Sequence, residues 1–317
     1  LAVVFYLAFG FDAKPVADYG GTYIEGVVGN PRYMNPLLCQ SNSVDCDVVS
    51  LVFTGLTTVG NDGVIEPDLA ESWDISTDGT VYTFYLRQDA VWHDGAPVTA
   101  SDVVYTVNVM QDSEFQGDSF LAEMWQTVVV EQINDYTVRF ILREPFSPFL
   151  EHTTIGLLPS HILANVSAAE LADSAFNASP IGTGPFKVSQ VSATEIELVA
   201  NDDYYNPRPY LDSIVLKFYS DYASLLEARE NGEIAGMSRV QPEQIASVED
   251  DKDLVLYSAP LSGYNLIYLN LDRPVFQDPA VRQALMYALD RQELVDDFVY
   301  GQGIVIDTPI MPHSWAF

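Results

Sequence analysis

Apolar and polar positions change period many times along this chain. Val81-Tyr82-Thr83-Phe84-Tyr85-Leu86 alternates and is rich in β-branched and aromatic side chains, which predicts a strand. Asp78-Gly79 just before it can turn the chain cheaply, because glycine takes positive φ without a Cβ clash. Thr99 and Asp102 form a capping-box pair ahead of Val103, Val104, Val107 and Met110, whose spacing is helical. Residues 127–142 predict a second hairpin, with TVVVEQI and YTVRFIL flanking Asn134-Asp135.

The rest of the chain reads in the same way. Residues 20–29 predict a first strand. Residues 30–36 predict an irregular segment, because Pro31 and Pro36 each remove a backbone donor and fix φ. Residues 48–59 predict a short helix running into a strand across Gly55, and further short helices are expected at 147–153 and 159–164. Residues 167–179 are small and polar, and the sequons at Asn165 and Asn177 are expected on surface loops. Strands are expected at 186–188, 195–199, 213–219 and 254–257, with an aromatic, polar loop at 201–206. Asp221 caps a helix over 222–230 that ends at Asn231-Gly232, and Pro242 opens another short helix. Residues 263–271 (GYNLIYLNL) predict a strand. Asp278-Pro279 then starts a helix with an apolar stripe of Val281, Ala284, Leu285 and Ala288, and Asp290 caps the next. Nothing repeats at a fixed period, which argues against a solenoid. The alternation of strands and helices predicts a mixed α/β architecture with a core assembled from distant segments.

Composition narrows the function classes. A chain of 317 residues accommodates about two domains. It carries 45 Asp plus Glu against 14 Lys plus Arg, a formal charge of −31. So few cations cannot neutralise a phosphate backbone, so no nucleic-acid partner is expected, and anionic lipid is disfavoured too. The apolar run LAVVFYLAFGF at residues 1–11 is shorter than the roughly 20 residues of a spanning helix. It predicts the tail of a signal peptide or membrane anchor, with a buried first strand as the alternative. Cys39 and Cys46 have no nearby His and do not space like a zinc site. They are either a small disulfide loop or two thiols.

Catalytic and cofactor motifs are scarce. Gly182-Thr183-Gly184 lacks the lysine and the spacing of a phosphate loop and predicts a tight turn. His93, His152, His161 and His313 are scattered, so neither a metal nor a cofactor is expected. There is no G-x-S-x-G, and no enzymatic activity is expected. Trp92-His93-Asp94-Gly95 predicts a turn with an aromatic plug, its aspartate bonding backbone N–H groups.

The order turn, strand, aromatic loop and capped helix in DLAESWDISTDGTVYTFYLRQDAVWHDGAPVTASDVVYTVNVM resembles the signature of extracellular solute-binding protein family 5, the oligopeptide- and dipeptide-binding proteins of ABC importers. GTGPF, NDDYYNPRPYLDSIVLKFY and YNLIYLNLDRPVFQDPAVRQALMYALDRQELV resemble further family segments, so the likeness covers about residues 20–312. The resemblance implies an α/β, two-lobed periplasmic-binding-protein-like fold (type II, cluster C) with an extra subdomain in lobe one. Residues 1–18 would be a signal or anchor remnant and linker. Residues 19–50 with 181–261 would form the lobe-one core, and 51–180 an inserted subdomain. Residues 262–317 would start a second lobe left incomplete, the chain being a C-terminally truncated fragment.

The resemblance also implies where ligand is held. Residues before the Asn35-Pro36 step line the family's cleft, which points to Asn30, Arg32, Tyr33 and Asn35. Tyr264, Asn265, Tyr268 and Asn270 come from the strand entering lobe two. Irregular backbone such as 30–35 is suited to pairing a peptide's main chain. The expected role is the substrate-binding component of a peptide importer, capturing peptide reversibly and delivering it to the ABC permease transmembrane subunits. The expected protein is a monomer with a periplasmic or extracytoplasmic location, free or tethered by its N-terminal apolar segment. A membrane-anchored ligand sensor is the alternative from another class; an oligosaccharide, opine or nickel chelate is an alternative solute on the same scaffold.

Overall fold

The computed structural model describes residues 18–60, 63–258 and 263–308. The apolar run at 1–11 and His313 lie outside the described residues. The chain divides into two compact units after Ser238.

The first unit opens with strand β1 (Thr22–Val28), then helix α1 (Ser43–Val52) and an antiparallel ribbon of β2 (Thr57–Val59) with β3 (Ile65–Pro67). β4 (Ala70–Ile75) and β5 (Val81–Leu86) follow, joined through Gly79 at φ 70°. α2 (Ala100–Gln111) and α3 (Ser119–Trp125) lead to the hairpin β6 (Val129–Asn134) and β7 (Thr137–Ile141), and then to the short helices α4 (Phe149–His152) and α5 (Ser160–Leu163). β8 (Phe186–Val191), β9 (Glu195–Ala200) and β10 (Ser213–Tyr219) come next, then α6 (Tyr222–Glu230) and β11 (Gly236–Met237).

Two larger sheets result. One has the order β11-β1-β10-β9-β8, with β1 parallel to both β10 and β11 and the remaining pairs antiparallel. The other, β4-β5-β7-β6, is antiparallel throughout. One continuous apolar core joins them. It runs from Val27, Ile196, Leu198 and Leu216 of the first sheet to Phe84, Val138 and Phe140 of the second. A smaller cluster of Leu225, Ala228 and Ile234 forms under α6. Gly26 permits that close approach, since a Cβ there would sit 2.6 Å from Ile234 Cδ1.

Local signals explain the helices. Asn42 caps α1, its side chain accepting the Val44 N–H at 3.0 Å, so the helix starts upstream of the expected 48. The Asp102 carboxylate accepts the Thr99 N–H at 2.9 Å and so secures the start of α2. Asp221 accepts the Ser224 N–H at 2.8 Å to start α6, which stops at Gly232, φ 73°.

The second unit has α7 (Ile245–Asp250), α8 (Pro274–Gln277), α9 (Pro279–Ala288) and α10 (Arg291–Phe298). Asp278 and Asp290 cap the last two, as expected, accepting the Ala280 and Glu293 N–H groups. Residues 254–257 and 263–271 are not strands. Alternation makes a strand only where a neighbouring backbone pairs its N–H and C=O groups, and among the described residues neither segment has a ladder partner. Nor is the α9 stripe buried: Ala284, Leu285 and Ala288 are exposed, and among the described residues of this unit only Ile245 and Val248 are buried apolar ones.

Candidate ligand site

The chain leaves the carboxyl end of β1 through Gly29, at φ 102°, whose N–H donates to the Tyr219 carbonyl at the end of β10. Because β1, β10 and β11 run parallel, their carboxyl ends share one edge of the sheet. Open α/β sheets take ligands at such an edge, where parallel strands end and their loops diverge. Residues 30–35 lie there.

This segment is pinned from below. The buried Asp45 carboxylate, from the first turn of α1, accepts the Arg32 N–H at 2.6 Å and the Tyr33 N–H at 2.8 Å. Asn42 Nδ2 donates to the Asn30 carbonyl at 2.8 Å. The Met34 N–H donates to the Asn177 carbonyl, and the Asn35 N–H to the Tyr33 carbonyl. Burial pushes the Asp45 carboxyl above its ordinary range, against the two N–H bonds and the Arg32 charge, which pull it down.

Two expectations change here. The backbone N–H groups of residues 32–35 are spent inside the protein, so the segment offers a ligand its side chains and not these main-chain donors. Asn35 is also withdrawn from any such surface. It is fully buried, its Nδ2 donating to Asn177 Oδ1 at 2.9 Å and its Oδ1 accepting the Leu37 N–H at 2.9 Å. Asn177 is buried too, with Nδ2 donating to the Leu171 carbonyl at 2.7 Å. Its sequon is therefore no surface site, and Leu171 and Phe176 beside it belong to the core, whereas Asn165 is exposed. The small polar composition of 167–179 hid this. A buried asparagine is tolerated where its amide finds partners: the Asn177 oxygen is met by Asn35, and its Nδ2 by the Leu171 and Ala172 carbonyls.

What remains outward at this edge is Asn30 and Arg32, with Tyr33 half-buried. The Arg32 guanidinium lies over the Tyr33 ring, 4.8 Å from its centroid. Tyr264, Asn265, Tyr268 and Asn270 lie in the second unit and are exposed, Tyr268 by 89%. Asn270 Oδ1 accepts the Asp272 N–H at 2.9 Å, a local turn that starts the approach to α8.

The aromatic loop is a structural clasp. Trp92 is buried and its Nε1 donates to Asp102 Oδ2 at 3.2 Å. Gly182 N–H donates to His93 Nδ1 at 3.2 Å, so Nε2 carries the proton and donates to the Gly184 carbonyl at 3.0 Å. Asp94 accepts the Ala96 N–H at 3.1 Å. The glycine turn is squeezed from the other side by α1: a Cβ on Gly182 would overlap the Val52 carbonyl. Tyr205 donates to Asp68 at 2.6 Å under the Arg87 guanidinium, tying the start of β4 to the loop after β9. Among the described residues, no three His, Cys, Asp or Glu side chains converge as metal ligands. Cys39 and Cys46 form a disulfide, with Cα atoms 5.0 Å apart.

A model of the bacterial extracellular solute-binding proteins, family 5 (middle), matches residues 64–317. The chain belongs to this family. Its fold class is the family's α/β, two-lobed periplasmic-binding-protein type. It is 32% identical over 303 residues to the oligopeptide-binding protein AppA of Bacillus subtilis, covering 94% of this chain and 55% of that protein. It is 30% identical to the dipeptide-binding protein of Escherichia coli, covering 91% of this chain and 58% of that one. Among solved structures, NikZ of Campylobacter jejuni in complex with Ni(L-His) superposes with a TM-score of 0.77 at 30% identity, over 93% of this chain and 58% of that one. AppA in complex with a nonapeptide gives 0.76, also at 30% identity, over 95% of this chain and 60% of that one. The chain thus spans a little over half the length of these family members. No helix among the described residues is long and apolar enough to cross a membrane.

Proposed function

We propose that this chain belongs to the substrate-binding component of a peptide-type ABC importer. Peptide is captured reversibly between two lobes and handed to the permease transmembrane subunits, with no bond in it broken. The captured ligand favours the closed form by its differential affinity, and the closed form is the one the permease receives. On this reading the five-stranded sheet is the core of lobe one, from residues 19–50 with 181–261. Residues 51–180 are its inserted subdomain, and 262–317 begin lobe two. Asn30, Arg32 and Tyr33 face ligand from lobe one, and Tyr264, Asn265, Tyr268 and Asn270 from lobe two. The protein works as a monomer outside the cytoplasmic membrane.

The observation that carries this reading is the rigidly braced segment 30–35 at the carboxyl edge of β11-β1-β10, in a chain whose relatives include oligopeptide- and dipeptide-binding proteins. Titration of the full-length protein with a library of short peptides tests it. Micromolar capture, about −8 kcal/mol, is expected with a rise in melting temperature. Absence of both for every peptide removes the reading.

A second solute class is kept because one solved relative is in complex with Ni(L-His) and another, AgaA, with agropinic acid. The same titration with a nickel–histidine chelate or an opine distinguishes them from peptide.

A further inference from the structure

We infer that Arg32 is the residue by which this site recognises a carboxylate on its solute; the inference rests on the binding reading above. The N–H groups of Arg32 and Tyr33 are held by Asp45, that of Met34 by the Asn177 carbonyl and that of Asn35 by the Tyr33 carbonyl. Pro31 has none. Apart from the Asn30 N–H, hydrogen-bond donors for a ligand in this segment therefore come from side chains, and the guanidinium of Arg32 supplies the most of them.

Its geometry is prepared for the task. Arg32 is exposed, and its guanidinium carbon lies over the Tyr33 ring, 4.8 Å from the centroid, a cation–π contact that favours this placement of the charge. Tyr33 is in turn packed against the core. Among the described residues no carboxylate is ion-paired with Arg32, and the nearby Asp45 carboxylate is turned to the two backbone N–H groups. A planar guanidinium fork with no carboxylate partner of its own among the described residues matches a ligand carboxylate through two parallel N–H···O bonds.

Charge balance makes the inference more specific. A chain at −31 repels an anionic ligand at long range, but salt screens that field beyond about 8 Å. At contact the guanidinium dominates, so selectivity for a carboxylate is local and written in the dissociation rate. Both a peptide's C-terminal carboxylate and an acidic side chain supply the chemistry.

The test compares short synthetic peptides as free acids and as C-terminal amides, each with Asp or with Asn, titrated calorimetrically into the full-length protein. Wild type is expected to hold a carboxylate-bearing peptide about tenfold more tightly than its neutral counterpart. Arg32→Gln should bring that ratio to about one with an unchanged melting curve, and Arg32→Lys should restore only part of it. Loss of the preference on amidation assigns the peptide terminus; loss on Asp-to-Asn exchange assigns a side chain. Wild type binding charged and neutral peptides equally, or Arg32→Gln keeping the full ratio, overturns the role of Arg32 while leaving peptide capture intact. Failure of every peptide to bind removes the binding reading and this inference with it.

Discussion

Protonating His93 should unlock the clasp between the aromatic loop and the Gly182–Gly184 turn. The ring accepts from Gly182 N–H and donates to the Gly184 carbonyl, an arrangement open only to the neutral imidazole. Burial is the main cause that pushes its pKa from 6.5 down to about 4; the Lys187 charge adds to it, while the Gly184 bond and Asp94 oppose. Below about 6.5 the unfolded chain takes up a proton that the folded chain declines. The stability this group contributes is therefore complete above pH 6.5 and is lost as pH falls toward 4. A gap of that size corresponds to about 3 kcal/mol. The assay is urea unfolding followed by tryptophan fluorescence, from pH 4 to 8, for wild type and His93→Phe. At neutral pH the variant should be less stable by about 2–3 kcal/mol, since it leaves Gly182 N–H without an acceptor and deprives the Gly184 carbonyl of one donor. The difference between the two proteins should shrink steadily as pH drops. A difference that stays constant across the range, or an NMR titration placing His93 near 6.5, refutes the reasoning.

Two further outcomes are expected. Asp45→Ala should lower stability by about 2–4 kcal/mol, because the Arg32 and Tyr33 N–H groups lose their buried acceptor; denaturant unfolding checks it, and a loss under about 0.5 kcal/mol counts against it. Reducing Cys39–Cys46 should cost about 2–3 kcal/mol for so short a loop, and the unreduced, unfolded chain should titrate with no reactive thiol; finding thiol in that sample contradicts the pairing.

The sequence was most legible where structure is set locally. The helix at Tyr222–Glu230 has its cap, its stop and its length within a dozen residues, and both hairpins carry their turns with them. Thr99 and Asp102 announced α2 for the same reason. Legibility failed where a partner is chosen by the fold and not by a local motif. Asp45 reads as an ordinary acidic residue in a helix's first turn, and only the fold brings it under Arg32 and Tyr33. Asn35 and Asn177 each look like surface residues; in the interior their side chains are joined by one hydrogen bond across 142 residues, the other amide atoms bonding local backbone. The stretch at 263–271 has the alternation of a strand but no neighbour to pair with among the described residues. Arg32 is marked by its place in the motif, whereas its contact with the Tyr33 ring is not legible in spacing.

The central pairing of the five-stranded sheet has a cost in time. β1 lies beside β10, and Thr22 meets Ser213, 191 positions further along the chain. During synthesis at ordinary ribosomal speed the first strand waits roughly 10–40 s for its neighbour. Through that interval its edges are open to any passing strand, and contacts of such long range close slowly even once the whole chain is present. Nascent chains of this topology should therefore depend on a holdase, and weakening β10 should show first as aggregation during expression rather than as a lower melting point of whatever protein does fold.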